Sequence, residues 1–381
     1  MFNMNSQTNL LTMEEFKTRI SKVQSLIKRD NLDGLIATLG VNFRYLFKSD
    51  AHVSERLTAV VLPREGTCSL ITPEFEKQNM IRDVPLSEDN IYTWQETDNP
   101  YKLLASECIR LGLSDGKLGL TPNTSFSEYS KIQRNLPNVT FSDSYKIFND
   151  ARIVKTESEV KLLEKASKYS AEAIEKVIIN DLREGLSEIE VSNLVALELT
   201  KLSGEPAHFS IVQFSSNSAI SHAMPTEKKL KNNNPVLIDA GTSVQGYNGD
   251  ITNTTFFGKP SNEFLEIYDL VEEANQVGVD SSVVGTPCEE VDLSARKIIE
   301  SKGYGEYFNH RLGHGIGLEV HEEPYIVSGN KLLLELNHIH SVEPGIYLQN
   351  KFGVRIEDDV IVGAKNGIRA SNPNRRLWER S

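Results

Sequence analysis

Five residues in the second half of the chain are of the types that bind divalent metal ions. They are Asp239, Asp250, His314, Glu343 and Glu357. Four carboxylates and one imidazole, without a thiolate, do not suit a structural zinc site. They suit two ions of manganese, cobalt, iron or zinc that share carboxylates. Two such ions, about 3.5–4 Å apart, lower the pKa of a water between them and polarise a carbonyl group. The set therefore predicts hydrolysis of an amide or a related bond.

The local sequence around the carboxylates indicates where they lie. Asp239 ends an apolar strand, and Asp250 begins the next strand eleven residues later. A hairpin of that length brings two carboxylates side by side, where they repel each other unless a cation lies between them. Glu343 lies at the end of a predicted strand and Glu357 within one, and both have apolar neighbours. We expect both to be partly buried and to need charge partners.

Histidines are concentrated near the third candidate ligand. Of the eight in the chain, His310, His314 and His321 occupy twelve consecutive positions, and glycines flank His314 on both sides. Glycine lets the backbone approach a metal closely. His222 stands upstream, near a predicted turn. Neutral imidazoles beside a metal are candidates to hydrogen-bond a scissile carbonyl or a tetrahedral intermediate.

Each of these residues taken singly also has an ordinary structural explanation. An Asp at the end of a strand is more often a turn residue than a ligand, and Glu-Pro-Gly is a common turn. The segment that begins at Arg355 could be a solvated strand with a cross-strand ion pair. The order Asp, Asp, His, His, Glu and Glu along one half of the chain favours a joint metal site over these explanations.

Helical and strand patterns alternate in the first part of the chain, which predicts a small α/β domain. Helices are predicted at Met13–Arg29, Leu103–Leu111 and Phe126–Leu136, and strands at Gly34–Leu39, Leu57–Leu62, Cys68–Thr72 and Lys117–Leu120. We place a boundary near Asp150, which gives one domain over residues 1–150 and a second over residues 151–381.

Helices and then strands dominate the second domain, and the chain as a whole is assigned to the α+β class. The first helix of this domain opens with a capping box formed by Thr156 and Glu159. The predicted helices are Lys155–Val177, Ser187–Leu202, Asn262–Val277 and Val291–Lys302. The predicted strands are Phe209–Phe214, Pro235–Asp239, Ser243–Asn248, Ile251–Phe257, Ile339–Tyr347 and Phe352–Val362.

Composition excludes several other classes of protein. The chain has 381 residues and a formal charge of −12, from 41 basic and 53 acidic residues, which argues against binding to nucleic acid or to an anionic membrane surface. No apolar run is long enough to span a bilayer, and the N-terminus has no pattern of a secretion signal. Three widely spaced cysteines fit a reducing environment, so we expect a cytoplasmic protein.

At the candidate ligands the chain resembles the pita-bread metallohydrolases, which include prolidase, aminopeptidase P, methionine aminopeptidase and creatinase. The resemblance covers residues 155–363 and is strongest in the segments that begin at Val236, Gly246, His310, Val342 and Val354. The N-terminal half is similar, more weakly, to the creatinase-type N-terminal domain through Asn42-Phe-Arg-Tyr-Leu. The resemblance implies a pita-bread catalytic domain behind a smaller α/β domain, and it points toward prolidase and aminopeptidase P.

The resemblance also implies roles for the metal ligands. Asp239, Asp250, His314, Glu343 and Glu357 match the five ligands of a dinuclear site, in which manganese is the first candidate. Asp250 and Glu357 would bridge the two ions. Glu343 would in addition shuttle the proton of the water between them.

Further roles follow for residues around the metals. His222, His310 and His321 would line the substrate pocket, and His321 would stabilise the tetrahedral intermediate. Arg355 would lie beside Glu357, as a support for it or as a contact for the substrate carboxylate. The family's usual homodimer is implied as well.

Two departures from the family pattern bear on the substrate. Asn253 stands where relatives often carry Arg, and Ser221 stands where Pro is common. Both are expected in the pocket wall. The first hypothesis is a manganese metallopeptidase that cleaves the Xaa-Pro bond at the N-terminus of dipeptides or short peptides. The alternative is a hydrolase or lyase of the same fold that acts on a small non-peptide metabolite. A catalytically inactive binding module is disfavoured, because all five ligands are present.

Overall fold

The computed structural model describes residues 12–49, 51 and 53–379. The chain divides into two compact units, Met1–Arg152 and Ile153–Ser381. Residues 1–11, where the sequence predicts no secretion signal, lie outside the described residues. Among the residues that are described, no helix combines the length and the apolar character needed to cross a membrane.

The first unit is built on a six-stranded sheet with the strand order β4-β3-β2-β1-β5-β6. Its strands are β1 (Gly34–Thr38), β2 (Ala59–Pro63), β3 (Ser69–Pro73), β4 (Ile91–Trp94), β5 (Lys117–Leu120) and β6 (Thr140–Asp143). Its helices are α1 (Met13–Arg29), α2 (Val41–Phe47), α3 (Lys77–Asp83), α4 (Pro100–Arg110), α5 (Phe126–Asn135) and α6 (Tyr145–Arg152). Strand β1 pairs parallel with β5 and antiparallel with β2, so the sheet is mixed.

Helix α1 shows why this part of the sequence folds as its periodicity predicts. The Thr12 hydroxyl accepts from the Glu15 amide at 3.2 Å, and the Glu15 carboxylate accepts from the Thr12 amide at 3.0 Å. This capping box satisfies amides that the first helical turn leaves free. Phe16, Ile20 and Val23, spaced for one helical face, are buried. The predicted bounds of this helix are confirmed.

The second unit carries four helices and ten strands among its described residues. Its helices are α7 (Glu157–Asn180), α8 (Glu188–Ser203), α9 (Asn262–Ser281) and α10 (Cys288–Ser301). Its strands are β7 (Phe209–Phe214), β8 (Asn234–Val244), β9 (Tyr247–Phe257), β10 (Gly313–Gly315), β11 (Glu322–Ile326), β12 (Ile339–Val342), β13 (Gly345–Leu348), β14 (Phe352–Arg355), β15 (Asp358–Ile361) and β16 (Ile368–Arg369). The capping box of Thr156 and Glu159 opens α7, as predicted.

These strands form three sheets, β7-β8-β9, β11-β10-β12-β15-β16 and β13-β14. One apolar core lies between α7, α8 and the first sheet, and includes Ile174, Val195 and Ile238. A second core joins α9 and α10 to the strands that follow, and includes Val271, Val291 and Val342. The helices therefore hold the two groups of strands that carry the candidate ligands.

Asp239, predicted to end a strand, lies inside β8, and Asp250, predicted to begin one, lies inside β9. Three further sequence predictions differ from the observed strands. The predicted strand Ser243–Asn248 is the turn of one long β8–β9 hairpin, because Gln245 and Gly246 adopt positive φ angles of 51° and 81°. The predicted strand Ile339–Tyr347 is interrupted at Glu343, where the next residue, Pro344, has no amide to donate. The predicted strand Phe352–Val362 is likewise interrupted, at Ile356 and Glu357. Two candidate ligands thus lie at breaks between strands.

Candidate metal centre

The five predicted ligands come together on strands of the second unit. Asp239 lies on β8, Asp250 on β9 and His314 on β10, while Glu343 follows β12 and Glu357 precedes β15. Three groupings bring one ligating atom of each member within 4.8 Å of the others. The groupings are Asp250 with His314 and His321, His314 with Glu343 and Glu357, and Asp239 with Asp250 and Glu357.

The register of the β8–β9 hairpin sets the position of the two aspartates. Asp239 pairs with Thr252, and Asp250 pairs with Gly241. Paired residues share one face of a sheet, and residues two apart along a strand share it as well. The two carboxylates therefore project from the same face as diagonal neighbours. They are not directly opposite each other, which differs from the side-by-side arrangement expected from the spacing.

Among the described residues, Arg355 is the arginine that forms an ion pair with this group of carboxylates. Arg355 Nη2 lies 2.6 Å from Asp239 Oδ2, and its Nε donates to the Thr252 hydroxyl at 3.1 Å. Thr252 in turn donates to Glu357 Oε2 at 2.6 Å. Two carboxylate oxygens, Asp239 Oδ1 and Asp250 Oδ1, are buried and have no hydrogen-bond partner among the described residues. Buried carboxylate oxygens without partners are costly, and divalent ions prefer such ligands, so the residues fit a metal site.

Burial is the main cause of the shifted pKa values in the cluster. For the side chains alone, burial and the neighbouring carboxylates raise the pKa of Asp250 and the pKa of Glu357 well above their ordinary values. Burial raises the pKa of Glu343 to about 7, although Arg355 opposes this shift. Burial also lowers the pKa of His314 to about 3, so its imidazole is neutral and able to bind a metal.

The geometry of His314 identifies the nitrogen that faces the carboxylates. Its Nδ1 lies 3.1 Å from the carbonyl oxygen of Gly315, which makes Nδ1 the protonated nitrogen. Its Nε2 lies 3.3 Å from Glu343 Oε1 and 3.9 Å from Asp250 Oδ2. A carbonyl that holds one imidazole nitrogen in this way orients the other toward a metal.

The glycines beside His314 serve a purpose other than the expected approach to a metal. A Cβ atom at Gly313 would lie 1.9 Å from the carbonyl oxygen of Ser341, and one at Gly315 would lie 2.2 Å from that of Glu323. These carbonyls belong to the neighbouring strands β12 and β11. Glycine is thus required because β10 is pressed between two other strands.

The cluster opens into a cavity of about 350 Å³. The candidate substrate residues His222, His310, His321 and Arg355 line it together with the five candidate ligands. The His321 ring packs edge-on against His314, with ring centroids 4.1 Å apart. Ser221 also lies in the cavity wall, as expected.

Two further residues of the site were missed by the sequence analysis. Arg311 lines the cavity, and its guanidinium lies 4.4 Å from the centre of the Tyr325 ring. Its place directly after His310 in the histidine-rich segment was the available signal. Tyr347 is buried, and its hydroxyl joins His310 Nε2 at 2.9 Å to Arg355 Nη1 at 3.1 Å. No local pattern distinguishes it from a core tyrosine.

The Tyr347 contacts define the state of His310 and the role of Arg355. His310 Nδ1 lies 2.7 Å from the Arg311 carbonyl oxygen, so Nδ1 donates and Nε2 accepts from Tyr347. Burial and the nearby Arg355 lower the pKa of His310 to about 4. Arg355 itself is almost fully buried and bonded to Asp239, Thr252 and Tyr347. These bonds favour the expectation that it supports the cluster over a contact with a substrate carboxylate.

Asn253 does not lie where the sequence analysis placed it. It pairs with Ile238, so it projects from the face of the hairpin opposite to Asp239, and it does not line the cavity. Its side-chain amide donates to the Asn374 carbonyl oxygen at 2.9 Å. Side chains alternate along a strand, so Asn253 and its neighbour Thr252, which donates to Glu357, project from opposite faces. The expectation that Asn253 forms part of the pocket wall is therefore wrong.

A neutral imidazole among carboxylates, on a mixed helix and sheet framework, is the arrangement expected of a metal-dependent hydrolase. Residues 161–364 match the metallopeptidase family M24, and residues 19–154 match the creatinase/prolidase N-terminal domain. The chain belongs to family M24 and is a metal-dependent hydrolase. The predicted α+β class, with a creatinase-type N-terminal domain before a pita-bread domain, is confirmed.

Individual relatives are similar over almost the whole chain. An uncharacterized peptidase of Staphylococcus aureus is 32% identical over 348 residues, which span 91% of this chain and 96% of the relative. The solved prolidase from Thermococcus sibiricus is 34% identical, with a TM-score of 0.86 over 94% of this chain and 98% of that one. The Xaa-Pro dipeptidase from Bacillus anthracis is 30% identical, with a TM-score of 0.86 over 95% and 99% of the two chains.

Proposed function

We propose that this protein is a dinuclear metallopeptidase that cleaves the Xaa-Pro bond at the N-terminus of dipeptides or short peptides, with manganese as its metal. The observation that carries the proposal is the cluster of Asp239, Asp250, His314, Glu343 and Glu357, in which two buried carboxylate oxygens have no partner among the described residues. Substrate specificity is proposed by analogy with the prolidase and the Xaa-Pro dipeptidase to which the chain is similar.

The groupings of ligating atoms support two ions. Asp250 and Glu357 each belong to two of the three groupings, and so does His314. A carboxylate has two oxygens and can bind two ions at once, whereas His314 has only Nε2 available. We therefore assign Asp250 and Glu357 as the shared ligands. Two divalent ions at such a site supply Lewis acidity for a carbonyl group and lower the pKa of the attacking water.

The remaining steps belong to side chains of this chain. Glu343, hydrogen-bonded by the Ser341 hydroxyl at 3.2 Å, would accept the proton of the attacking water and deliver it to the leaving imino nitrogen. His321 would donate a hydrogen bond to the developing oxyanion, and His222, which also lines the cavity, would contact the substrate. Arg311, for which no ion pair is found among the described residues, would bind the substrate's carboxylate.

The test of this function is a substrate panel with manganese-loaded protein, in which products are identified by mass spectrometry. The panel holds Xaa-Pro dipeptides, longer Xaa-Pro peptides, peptides without proline and small N-substituted metabolites. We expect cleavage of Xaa-Pro substrates. Cleavage of dipeptides alone would indicate a dipeptidase, and cleavage of longer peptides an aminopeptidase. Metal-loaded protein that cleaves no Xaa-Pro substrate would overturn the proposal.

The site assignment has its own test. Asp250→Ala and Glu357→Ala should each abolish metal content and activity, because both remove a shared ligand. Glu263→Ala serves as the matched control, since Glu263 is paired with Lys351 at the surface. Metal content measured by mass spectrometry should be unchanged in this control. Normal metal content in either ligand variant would contradict the assignment.

A further inference from the structure

His222 reaches the cavity on a surface loop, which we define as residues 215–226. The tip of this loop is exposed: Ile220 has 61% and Met224 has 70% of its surface accessible, and His222 between them is exposed as well. An exposed loop tip without regular structure is ordinarily mobile. A histidine that must meet a substrate at a fixed place therefore needs the base of its loop to be held.

Gln213, on strand β7, is hydrogen-bonded to the tip of this loop. Its side chain is fully buried, and its amide nitrogen donates to the carbonyl oxygens of Ile220 at 2.9 Å and Ala223 at 2.8 Å. These two carbonyls lie on either side of Ser221 and His222. A primary amide has two N–H donors. Both donors of Gln213 are thus used to fix the two ends of the short segment that presents His222.

Glu188, in the first turn of α8, holds the base of the same loop. Its carboxylate is fully buried and accepts from the Phe214 amide at 2.7 Å and from the Asn217 side chain at 3.0 Å. It also accepts from Thr226, at 2.9 Å from the amide and 2.6 Å from the hydroxyl. Of these donors, Phe214 directly precedes the loop, Asn217 lies within it and Thr226 is its last residue. The helix N-terminus provides a favourable place for the negative charge.

A third contact joins the loop to the metal centre. Arg355 Nη1 lies 3.3 Å from the carbonyl oxygen of Ser221, while Nη2 of the same guanidinium binds Asp239. The residue beside His222 and a candidate ligand are therefore tied to one rigid group. Gln213 pairs with Leu237, two residues before Asp239, so its side chain lies on the same face of the sheet as Asp239. Together with Glu188 and Arg355 it restrains the His222 segment at separate points of the loop.

We propose that Gln213 and Glu188 are positioning residues that fix His222 in the cavity wall. The effect on catalysis rests on the proposed function, because it requires that His222 contacts the substrate. The effect on the loop does not, since it follows from hydrogen bonds alone. The two effects can be measured separately.

The first experiment measures the loop without reference to activity. Gln213→Met removes both donors at similar length, and hydrogen exchange of metal-loaded protein is followed in peptides that cover residues 215–226. We expect exchange in this loop to rise about tenfold, because the Ala223 carbonyl loses the donor from Gln213 and the Ile220 carbonyl is left with the Ala223 amide alone. Metal content should stay unchanged. Exchange that equals the wild-type rate would overturn the proposal.

A matched control is available in the first unit. Gln133 also donates its side-chain amide to two carbonyls, those of Leu136 at 3.1 Å and Val139 at 3.3 Å. Gln133→Met removes the same kind of interaction but should leave exchange of residues 215–226 unchanged. For Glu188→Gln the corresponding control is Glu159→Gln, another buried first-turn glutamate of a helix. Equal loop exchange in a test variant and its control would count against a positioning role.

The second experiment tests the catalytic consequence with a double-mutant cycle. We expect Gln213→Met and His222→Ala each to lower kcat/KM for an Xaa-Pro substrate, the former by about tenfold. Their combination should lose no more than His222→Ala alone, because a misplaced histidine and an absent one are equivalent. A loss in the double variant equal to the product of the two single losses would overturn the positioning role. Increased loop exchange in protein that has no peptidase activity would refute the proposed function and leave the loop restraint supported.

Discussion

At the scale of single residues, the cluster is governed by an excess of buried negative charge. Asp239 has Arg355 as a partner. Among the described residues, no cation lies within ion-pair distance of Asp250, Glu343 or Glu357, since the nearby His314 is neutral. Each remaining carboxylate must therefore hold a proton or share a metal ion. The raised pKa values of these groups have the same cause, because a buried carboxylate without a cation is more stable when it is protonated.

Metal binding should therefore release protons and strengthen as the pH rises. Glu343, with its pKa raised to about 7, is protonated below that pH, and Asp250 and Glu357 have raised pKa values as well. A metal must displace these protons. His314 contributes none, because its pKa of about 3 leaves it neutral. Calorimetry at pH 6 in buffers of different ionisation enthalpy measures the protons released, and a result of zero would contradict the argument.

Asn253 provides a second residue-scale prediction. Asn253→Ala removes the donor to the Asn374 carbonyl oxygen and should lower the free energy of unfolding by about 1–2 kcal/mol. Because the side chain points away from the cavity, metal content and KM should not change. Ser221→Pro, at a residue that does line the cavity, should change KM. Denaturant unfolding and steady-state kinetics distinguish the two variants. An altered KM in Asn253→Ala would indicate that Asn253 does contribute to the pocket wall.

At the scale of elements, three of the candidate ligands lie inside strands and two lie at interruptions between strands. The β8–β9 hairpin supplies two aspartates from one face, and the breaks after β12 and before β15 supply two glutamates. A carboxylate at a break can turn toward the cavity without a regular pairing partner. The hairpin in turn is positioned by α7, since Ser170 of that helix donates to the Gly249 carbonyl oxygen at 3.3 Å.

Gly249→Ala tests the dependence of the hairpin on α7. A Cβ atom there would lie 2.2 Å from the Ser167 amide nitrogen and 2.4 Å from the Ala166 carbonyl carbon, both backbone atoms that cannot move alone. We expect a loss of about 1–3 kcal/mol in stability and weaker metal binding at the adjacent Asp250. Gly305→Ala is the control, because its nearest contact is the flexible Glu300 side chain at 2.8 Å. Similar melting temperatures for the two variants would argue against this packing constraint.

At the scale of the whole molecule, every candidate ligand belongs to the second unit, and they are spread from residue 239 to residue 357. Two ions that together bind all of them would connect three separate segments of chain. Binding to the native state alone stabilises it by mass action. We therefore expect chelation to raise hydrogen exchange in β8, β9, β12 and β15, with peptides of residues 19–152, which hold no ligand, as the internal reference. Unchanged exchange in those strands would show that the metal is bound elsewhere.

The sequence alone determined the composition of the site. The types and spacing of Asp239, Asp250, His314, Glu343 and Glu357 predicted a metal cluster, because few other arrangements accommodate so many carboxylates beside one imidazole in an apolar setting. Helix α1 and the capping box of α7 were predictable for a similar reason, since their signals lie within a few neighbouring residues. The fold class followed from the order of such local patterns and from the resemblance to a known family.

Only the tertiary structure decided which face and which partner each side chain has. Asn253 and Thr252 are neighbours in sequence, yet the pleat and register of the hairpin direct Asn253 to Asn374 and Thr252 to Glu357. Tyr347 joins the site, and Gln213 holds the His222 loop, through contacts with distant segments that no local pattern records. Periodicity describes how a segment meets its own neighbours, whereas strand register and close backbone packing depend on parts of the chain far away in sequence.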